Sequence, residues 1–296
     1  MMQVLNGSLV ALVTPMMPDG EIDFDTLNKI IDWHIQEGTN GIVSVGTTGE
    51  SATLNFEEHI EVIRYTINYV DGRLPVIAGT GANSTSEALD LTKEAEIIGA
   101  NYALIVTPYY NKPSQKGLIE HYTKIADSVD IPQILYNVPS RTACDLLPTT
   151  AEILSKHKNI VGIKEAVCDE ERIKELIKIS LSNNSFKVYS GDDPSFLNML
   201  SVGGHGVISV AANIVPKYIS GICSFYQNNE VEKAEEINNK LKNLYDLLFI
   251  QSNPIPVKWM MYKMGLVQNA LRLPLVELDK KYQEIIISEM LKLELL

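Results

Sequence analysis

Short runs rich in β-branched residues recur eight times between Ser8 and Val210, near residues 8–13, 41–45, 75–78, 102–106, 133–136, 160–164, 187–189 and 206–210. Their spacing is about 30 residues, the length of one strand plus one helix in a βαβ unit. Most of the intervals carry apolar residues at helical period. Leu27, Ile30, Ile31, His34 and Ile35 form one stripe, and Ile60, Ile63, Ile67 and Val70 form another. Asn55 with Glu58, and Ser84 with Glu87, have the spacing of a capping box, and Gly38, Gly72 and Gly99 stand where helices should stop. Parallel strands need right-handed helical crossovers, and eight of them can close around a filled interior. The pattern therefore predicts an α/β fold, a (β/α)8 TIM barrel over residues 1–215, with a doubly wound open sheet as the alternative. After Val210 the pattern is purely helical, with the longest candidates at 231–249 and 278–291. This predicts a C-terminal helical appendage, residues 216–296, packed on the barrel.

Composition narrows what such a fold does. With 25 Lys+Arg against 37 Asp+Glu the 296-residue chain carries a formal charge of −12. No basic patch interrupts that balance, which argues against sequence-independent binding to nucleic acid or to an anionic membrane. Cys144, Cys168 and Cys223 are odd in number and widely spaced, giving neither a disulfide framework nor a CxxC pair, so a reducing cytoplasm fits best. The apolar N-terminal stretch lacks a basic flank and is broken by Pro15 and Pro18 before it reads as a signal or a span.

A barrel of this kind carries its chemistry at the carboxyl ends of its strands. There the sequence places Gly46-Thr47-Thr48-Gly49-Glu50-Ser51, Gly79-Thr80-Gly81-Ala82-Asn83-Ser84, Thr107-Pro108-Tyr109-Tyr110-Asn111, Tyr136-Asn137-Val138-Pro139-Ser140-Arg141-Thr142 and Lys164-Glu165. In Val161-Gly162-Ile163-Lys164, period-2 alternation puts Gly162 and Lys164 on one face and the branched pair on the other. If the branched pair faces the helices, Lys164 points into the barrel mouth. An ammonium deprived of water there shifts towards the neutral amine, a nucleophile for a carbonyl and the start of iminium and enamine chemistry. The plainer alternative is a strand-end lysine paired with Glu165 or another carboxylate.

Tyr136 is a candidate proton carrier, with Thr47 and Tyr110 as a hydroxyl chain towards solvent. Each tyrosine taken alone also reads as a packing residue at the barrel rim. GTTGES lacks the ending of a P-loop, but its small residues allow the N–H groups of Thr47 and Thr48 to approach a carboxylate. The Gly79–Ser84 segment is half a dinucleotide fingerprint without its third glycine. Arg141 suits bidentate capture of a second carboxylate, with a surface ion pair as the alternative. His34, His59, His121, His157 and His205 show no metal-ligand spacing, so a mechanism without metal or other cofactor is expected.

Taken in order, these motifs, together with Val13-Thr14-Pro15, Ser190-Gly191-Asp192-Asp193 and the NPIPVKW run at 253–259, resemble the dihydrodipicolinate synthase family of pyruvate-dependent class I aldolases and lyases. The resemblance covers essentially the whole chain. It implies that Lys164 forms a Schiff base with pyruvate and that Tyr136 is the acid/base. It makes Thr47 the relay partner of Tyr136, and Tyr110 a relay tyrosine reaching into a neighbouring subunit. It further implies that Thr48 holds the pyruvate carboxylate, that the main chain of Ile208 contacts the keto acid, and that Arg141 recognises L-aspartate-4-semialdehyde. The implied product is 4-hydroxy-tetrahydrodipicolinate, on the way to diaminopimelate and lysine, made by a cytoplasmic homotetramer. Positions matching a lysine-inhibition site are Ser51, Ala52, His59, Asn83, Glu87 and Tyr109, with Glu87 for an ammonium and Tyr109 for a carboxylate. Phe56 stands where some lysine-sensitive relatives carry a histidine. Two other readings compete: a pyruvate aldolase acting on a sugar acid or hydroxyproline derivative, which would not need Arg141, and a non-catalytic barrel, which would form no covalent adduct.

Overall fold

The computed structural model describes residues 5–296. Eight parallel strands, β1 (Gly7–Ala11), β2 (Gly41–Ser44), β3 (Val76–Gly79), β4 (Tyr102–Val106), β5 (Gln133–Asn137), β6 (Ile160–Glu165), β7 (Lys187–Ser190) and β8 (Gly206–Ser209), hydrogen-bond in sequence order, and β8 returns to β1. The closed ring excludes the open doubly wound sheet. Alternation divides the branched residues between two layers. Leu9, Val43, Leu104, Ile134, Tyr189 and Ile208 fill the barrel interior, while Val10, Ile42, Ile105, Leu135, Ile163 and Val207 join the larger core under the helices. Each such side chain contributes about 1.5–3 kcal/mol by leaving water, so a one-residue slip of any strand would exchange both layers at once.

Three strands stop earlier than expected: β8 where Asp193 takes the N–H of Val210, and β1 and β2 for reasons of their own. The N–H of Val13 is taken by the Asn213 side chain, not by a neighbouring strand. Val45 adopts φ 54°, a left-handed conformation that a β-branched residue rarely accepts. A Cβ at Gly79 would run into the Val45 carbonyl, and one at Gly49 would lie 3.1 Å from the Val45 Cα. Gly79 of the half-fingerprint and Gly49 of the Gly46–Ser51 turn thus make room for this bend in the main chain.

The helices follow the apolar stripes. Leu27, Ile30, Ile31 and His34 are the buried face of Phe24–Gln36, and Ile60, Ile63 and Val70 are part of that of Phe56–Val70. The Asn55/Glu58 capping box forms with both of its bonds. The Ser84/Glu87 box does not. Ser84 occupies the N-cap of Thr85–Ile97, but its hydroxyl pairs with the Ser86 hydroxyl at 2.9 Å instead of capping. Beyond β8, helix Pro216–Gln227 packs against β1 in the place of an eighth barrel helix, and Val231–Leu247 packs on it in turn. Ile255–Lys263 and Lys280–Lys292 complete the chain. Among the described residues no helix is long and apolar enough to cross a membrane.

Candidate active site

Strand register places Lys164 of β6 directly beside Tyr136 of β5. Neighbours in register share a face, so both enter the barrel mouth. The Lys164 Nζ sits over the Tyr136 ring, 4.2 Å from its centroid, and the lysine is only 5% exposed. Loss of water lowers the Lys164 ammonium to about 7; the Asp193 carboxylate opposes this shift and the Arg141 charge adds to it. Lys164 enters no salt bridge among the described residues. The alternative in which Glu165 neutralises it is excluded by alternation. Glu165 faces outward, where Asn137 and Arg172 bind its carboxylate and Arg172 also holds Asp145 at 2.5 Å.

One detail of β6 differs from the alternation expected for it. A register shift opposite Gln133 and Ile134 leaves Val161 without its own partner, and Val161 packs on the interior cluster, not on the helices. Ile163 keeps its outward place. Gly162 makes room for the neighbouring strand. A Cβ there would lie 2.6 Å from the Lys187 carbonyl, so the glycine admits β7. The space around Lys164 comes from Gly191, where a Cβ would stand 2.9 Å from the Lys164 Cε.

Tyr136 is buried, which raises its phenol; the Arg141 charge and a hydrogen bond with Thr47 pull it back. Thr47, Thr48, Tyr136, Arg141 and Lys164 line one cavity of about 330 Å³, together with Asn253 from the C-terminal region. Asn253 Nδ2 donates to Thr48 Oγ1 at 2.9 Å. In the Gly46–Ser51 turn, Glu50 N–H bonds the Thr47 carbonyl and Ser51 N–H bonds the Gly46 carbonyl, whereas the N–H groups of Thr47 and Thr48 bond no main-chain carbonyl. Such unengaged N–H groups in a turn are able to meet an anion. Ile208 is buried in the interior layer below. Tyr110 is not brought to Tyr136. It is 88% exposed, at φ 75°, on the tip of the loop after β4. Arg141 is exposed at the rim, and its weak 3.5 Å bond to the Asn253 carbonyl replaces the surface ion pair considered above.

A second cavity of about 290 Å³ shares Thr47, Val138 and Arg141 with the first. Ser51, Ala52, His59, Glu87 and Tyr109 line it, as does Phe56. Asn83 does not; its backbone bonds the Tyr109 hydroxyl and the Asn111 side chain. A wider open groove of about 1480 Å³, between Phe56 and Leu273, holds neither a lysine nor a tyrosine and lies apart from this chemistry.

Residues 4–292 match the model of the dihydrodipicolinate synthetase family. The chain belongs to that family. It is 55% identical over 281 residues to the 4-hydroxy-tetrahydrodipicolinate synthase of Stutzerimonas stutzeri, an alignment covering 95% of this chain and 96% of the relative. Its fold superposes with a TM-score of 0.96 on the chloride-inhibited dihydrodipicolinate synthase of Acinetobacter baumannii complexed with pyruvate, at 49% identity, covering 99% of this chain and 100% of that one. The corresponding enzyme of Cyanidioschyzon merolae, solved with lysine bound, gives a TM-score of 0.94 at 35% identity and covers 99% of both chains.

Two parts of this family member's site were in the sequence without an assigned role. Asp193, in the Ser190–Asp193 run, is fully buried. It accepts from Ser209 Oγ at 2.5 Å and from the N–H groups of Val210 and Ala211 at 3.0 Å, joining the exit of β7 to the end of β8. Asn253 begins the NPIPVKW run. Only the conjunction of distant motifs marks either residue, because Asn253 lines the catalytic cavity from the C-terminal region and Asp193 lies in the loop after β7.

Proposed function

We infer that the chain condenses pyruvate with L-aspartate-4-semialdehyde through a lysine Schiff base, giving 4-hydroxy-tetrahydrodipicolinate for diaminopimelate and lysine synthesis. The observation that carries this reading is a buried lysine that enters no salt bridge among the described residues, shifted to about 7 and stacked on a buried tyrosine. The pyruvate carboxylate lies against the N–H groups and hydroxyl at Thr47 and Thr48, with the main chain of Ile208 beneath the keto acid. The neutral amine of Lys164 adds to the keto carbon, and loss of water leaves a cationic imine. Asp193 is the buried negative charge that favours this cation. Tyr136 moves the protons, and removal of one from the methyl group gives the enamine. The enamine attacks the aldehyde, and the substrate amine then displaces Lys164 to close a six-membered ring. Pyruvate bound to the Acinetobacter relative supports the first substrate.

Arg141 stands at the rim, where the carboxylate of the second substrate would arrive. Arg141→Ala is expected to lower kcat/KM for the aldehyde by about 10- to 100-fold, the worth of a charge-assisted bond, and to move the pyruvate KM by less. Steady-state kinetics with each substrate varied in turn measures this; equal losses for both would contradict the assignment.

The second cavity suits L-lysine as an inhibitor, with Glu87 for the ammonium and Tyr109 for the carboxylate, as the lysine-bound Cyanidioschyzon relative supports. Its shared wall with the catalytic cavity, Thr47 and Arg141, gives a route for the effect. Inhibition by about millimolar lysine is expected in the parent and its loss in Glu87→Ala; a flat curve in the parent would remove this site.

Tyr110 extends the proton relay of a neighbouring subunit, in a homotetramer built as a dimer of dimers. Its exposure on a strained loop tip supports that placement. Mixing Tyr110→Phe with Lys164→Ala protein is expected to recover about a quarter of the parent activity, because half the dimers are hybrids with one complete site. No recovery after subunit exchange would confine Tyr110 to its own chain. Cys144, Cys168 and Cys223 are free thiols, which suits the cytoplasm.

A further inference from the structure

Three stretches far apart in sequence meet beneath the Thr47–Thr48 turn. Lys258, on helix Ile255–Lys263, and Glu50, at the end of the turn, have side chains with 0% exposure, and Lys258 Nζ lies 2.5 Å from Glu50 Oε1. The same ammonium donates to the Thr14 carbonyl at 3.1 Å, and Thr14 Oγ1 donates to the Gly49 carbonyl at 2.7 Å. The other oxygen of Glu50 accepts the Arg272 N–H at 3.3 Å. Together with the Asn253 bond to Thr48, the turn is therefore fixed at Thr48, Gly49 and Glu50 in succession. Glu50 itself sits at φ 59°, a conformation that persists in a non-glycine residue only when its surroundings hold it there. Burying two charges costs more solvation than a packed apolar pair would. Stability alone therefore does not account for the arrangement.

We propose that the Lys258–Glu50 pair is a positioning device for pyruvate recognition, holding the Thr47–Thr48 turn where its N–H groups meet the keto-acid carboxylate. The C-terminal region is on this account a working part of the active site, although neither Lys258 nor Glu50 lines the catalytic cavity. The inference rests on the reading that Thr47 and Thr48 hold that carboxylate.

The test is the paired variant Glu50→Gln with Lys258→Met in the full chain. Removing both charges leaves no unpaired ion in the interior, so the fold is retained while the tie is lost. A displacement of the turn by a fraction of an ångström is expected to raise the pyruvate KM, and the pyruvate concentration for half-maximal borohydride trapping, by about tenfold or more. The aldehyde KM should stay within about twofold of the parent, a split that a general loss of stability would not produce. Pyruvamide, which lacks the carboxylate, provides the control. If the parent is half-trapped at the same concentration of pyruvamide as of pyruvate, the carboxylate assignment is wrong and the positioning role falls with it; if pyruvate is preferred and the paired variant keeps the parent pyruvate value, the positioning role alone is wrong. Should the paired variant not fold, Glu50→Asp retains both charges, tolerates the left-handed backbone and shortens the reach by one methylene. It is expected to give the same split, and parent kinetics would overturn the proposal.

Discussion

Replacing Lys164 by alanine is expected to lower kcat by about 10⁴-fold or more, because no other lysine among the described residues lines the cavity to form the covalent intermediate. The residual rate would come from substrate binding alone. The parent should show a pH dependence that follows the same group. Lys164 is cationic below about 7 and increasingly neutral above it, so the rate of Schiff-base formation should climb as pH rises through that value and level off beyond it. Single-turnover trapping across the range measures this directly, and a profile still rising steeply at the ordinary lysine value would mean that burial does not prepare the amine. The same displacement affects stability. Between about 7 and 10.5 the unfolded chain holds the proton and the folded chain has released it, so this group's contribution to stability rises with pH across that window and is least favourable below it. Lys164→Met, which removes the buried ammonium at similar volume, is expected to melt higher than the parent below pH 7 while remaining inactive.

The second large effect belongs to Tyr136. Tyr136→Phe keeps the ring under Lys164 and removes only the hydroxyl, so the fold and the lysine's burial persist while the proton carrier is lost. A fall of about 10²–10⁴-fold in kcat is expected, with a much smaller change in pyruvate KM. Circular dichroism matching the parent, combined with that loss, is the result anticipated. Full activity would transfer the proton shuttle to another group or to water. Burial raises the phenol, and Thr47 and Arg141 counter the rise. Thr47→Val is therefore expected to slow the reaction in the same direction as Tyr136→Phe, to a lesser degree.

Much of this architecture is legible in the chain because two periods coincide. Branched runs every 30 residues or so fix the strand count, and the polar residues that end them then have one place to go. That logic places Lys164, Tyr136, Thr47, Thr48 and Arg141 at one mouth from the sequence alone, and they line one cavity in the fold. It failed where a residue's position depends on something other than its own strand. The orientation of Val161 follows from a shift in register against β5, which alternation alone does not encode. Ser84 has the right spacing for a cap, but the neighbouring Ser86 hydroxyl competes for its oxygen. Asn253 and Lys258 reach the site from the C-terminal region, so only the folded chain reveals that they hold the Gly46–Ser51 turn. Asn83 matched a family position yet stays outside the second cavity, touching it only through the backbone at Tyr109. Tyr110 is 88% exposed on a loop tip, so its position depends on no neighbour that the strand pattern encodes.

The central claim is covalent, and one measurement addresses it. The full chain is incubated with pyruvate at pH 8, reduced with borohydride, digested and mapped by mass. The account predicts a stable adduct confined to the peptide carrying Lys164, absent from Lys164→Ala and retained in Arg141→Ala. Reduction without any adduct on Lys164, in protein that still turns over both substrates, would contradict it.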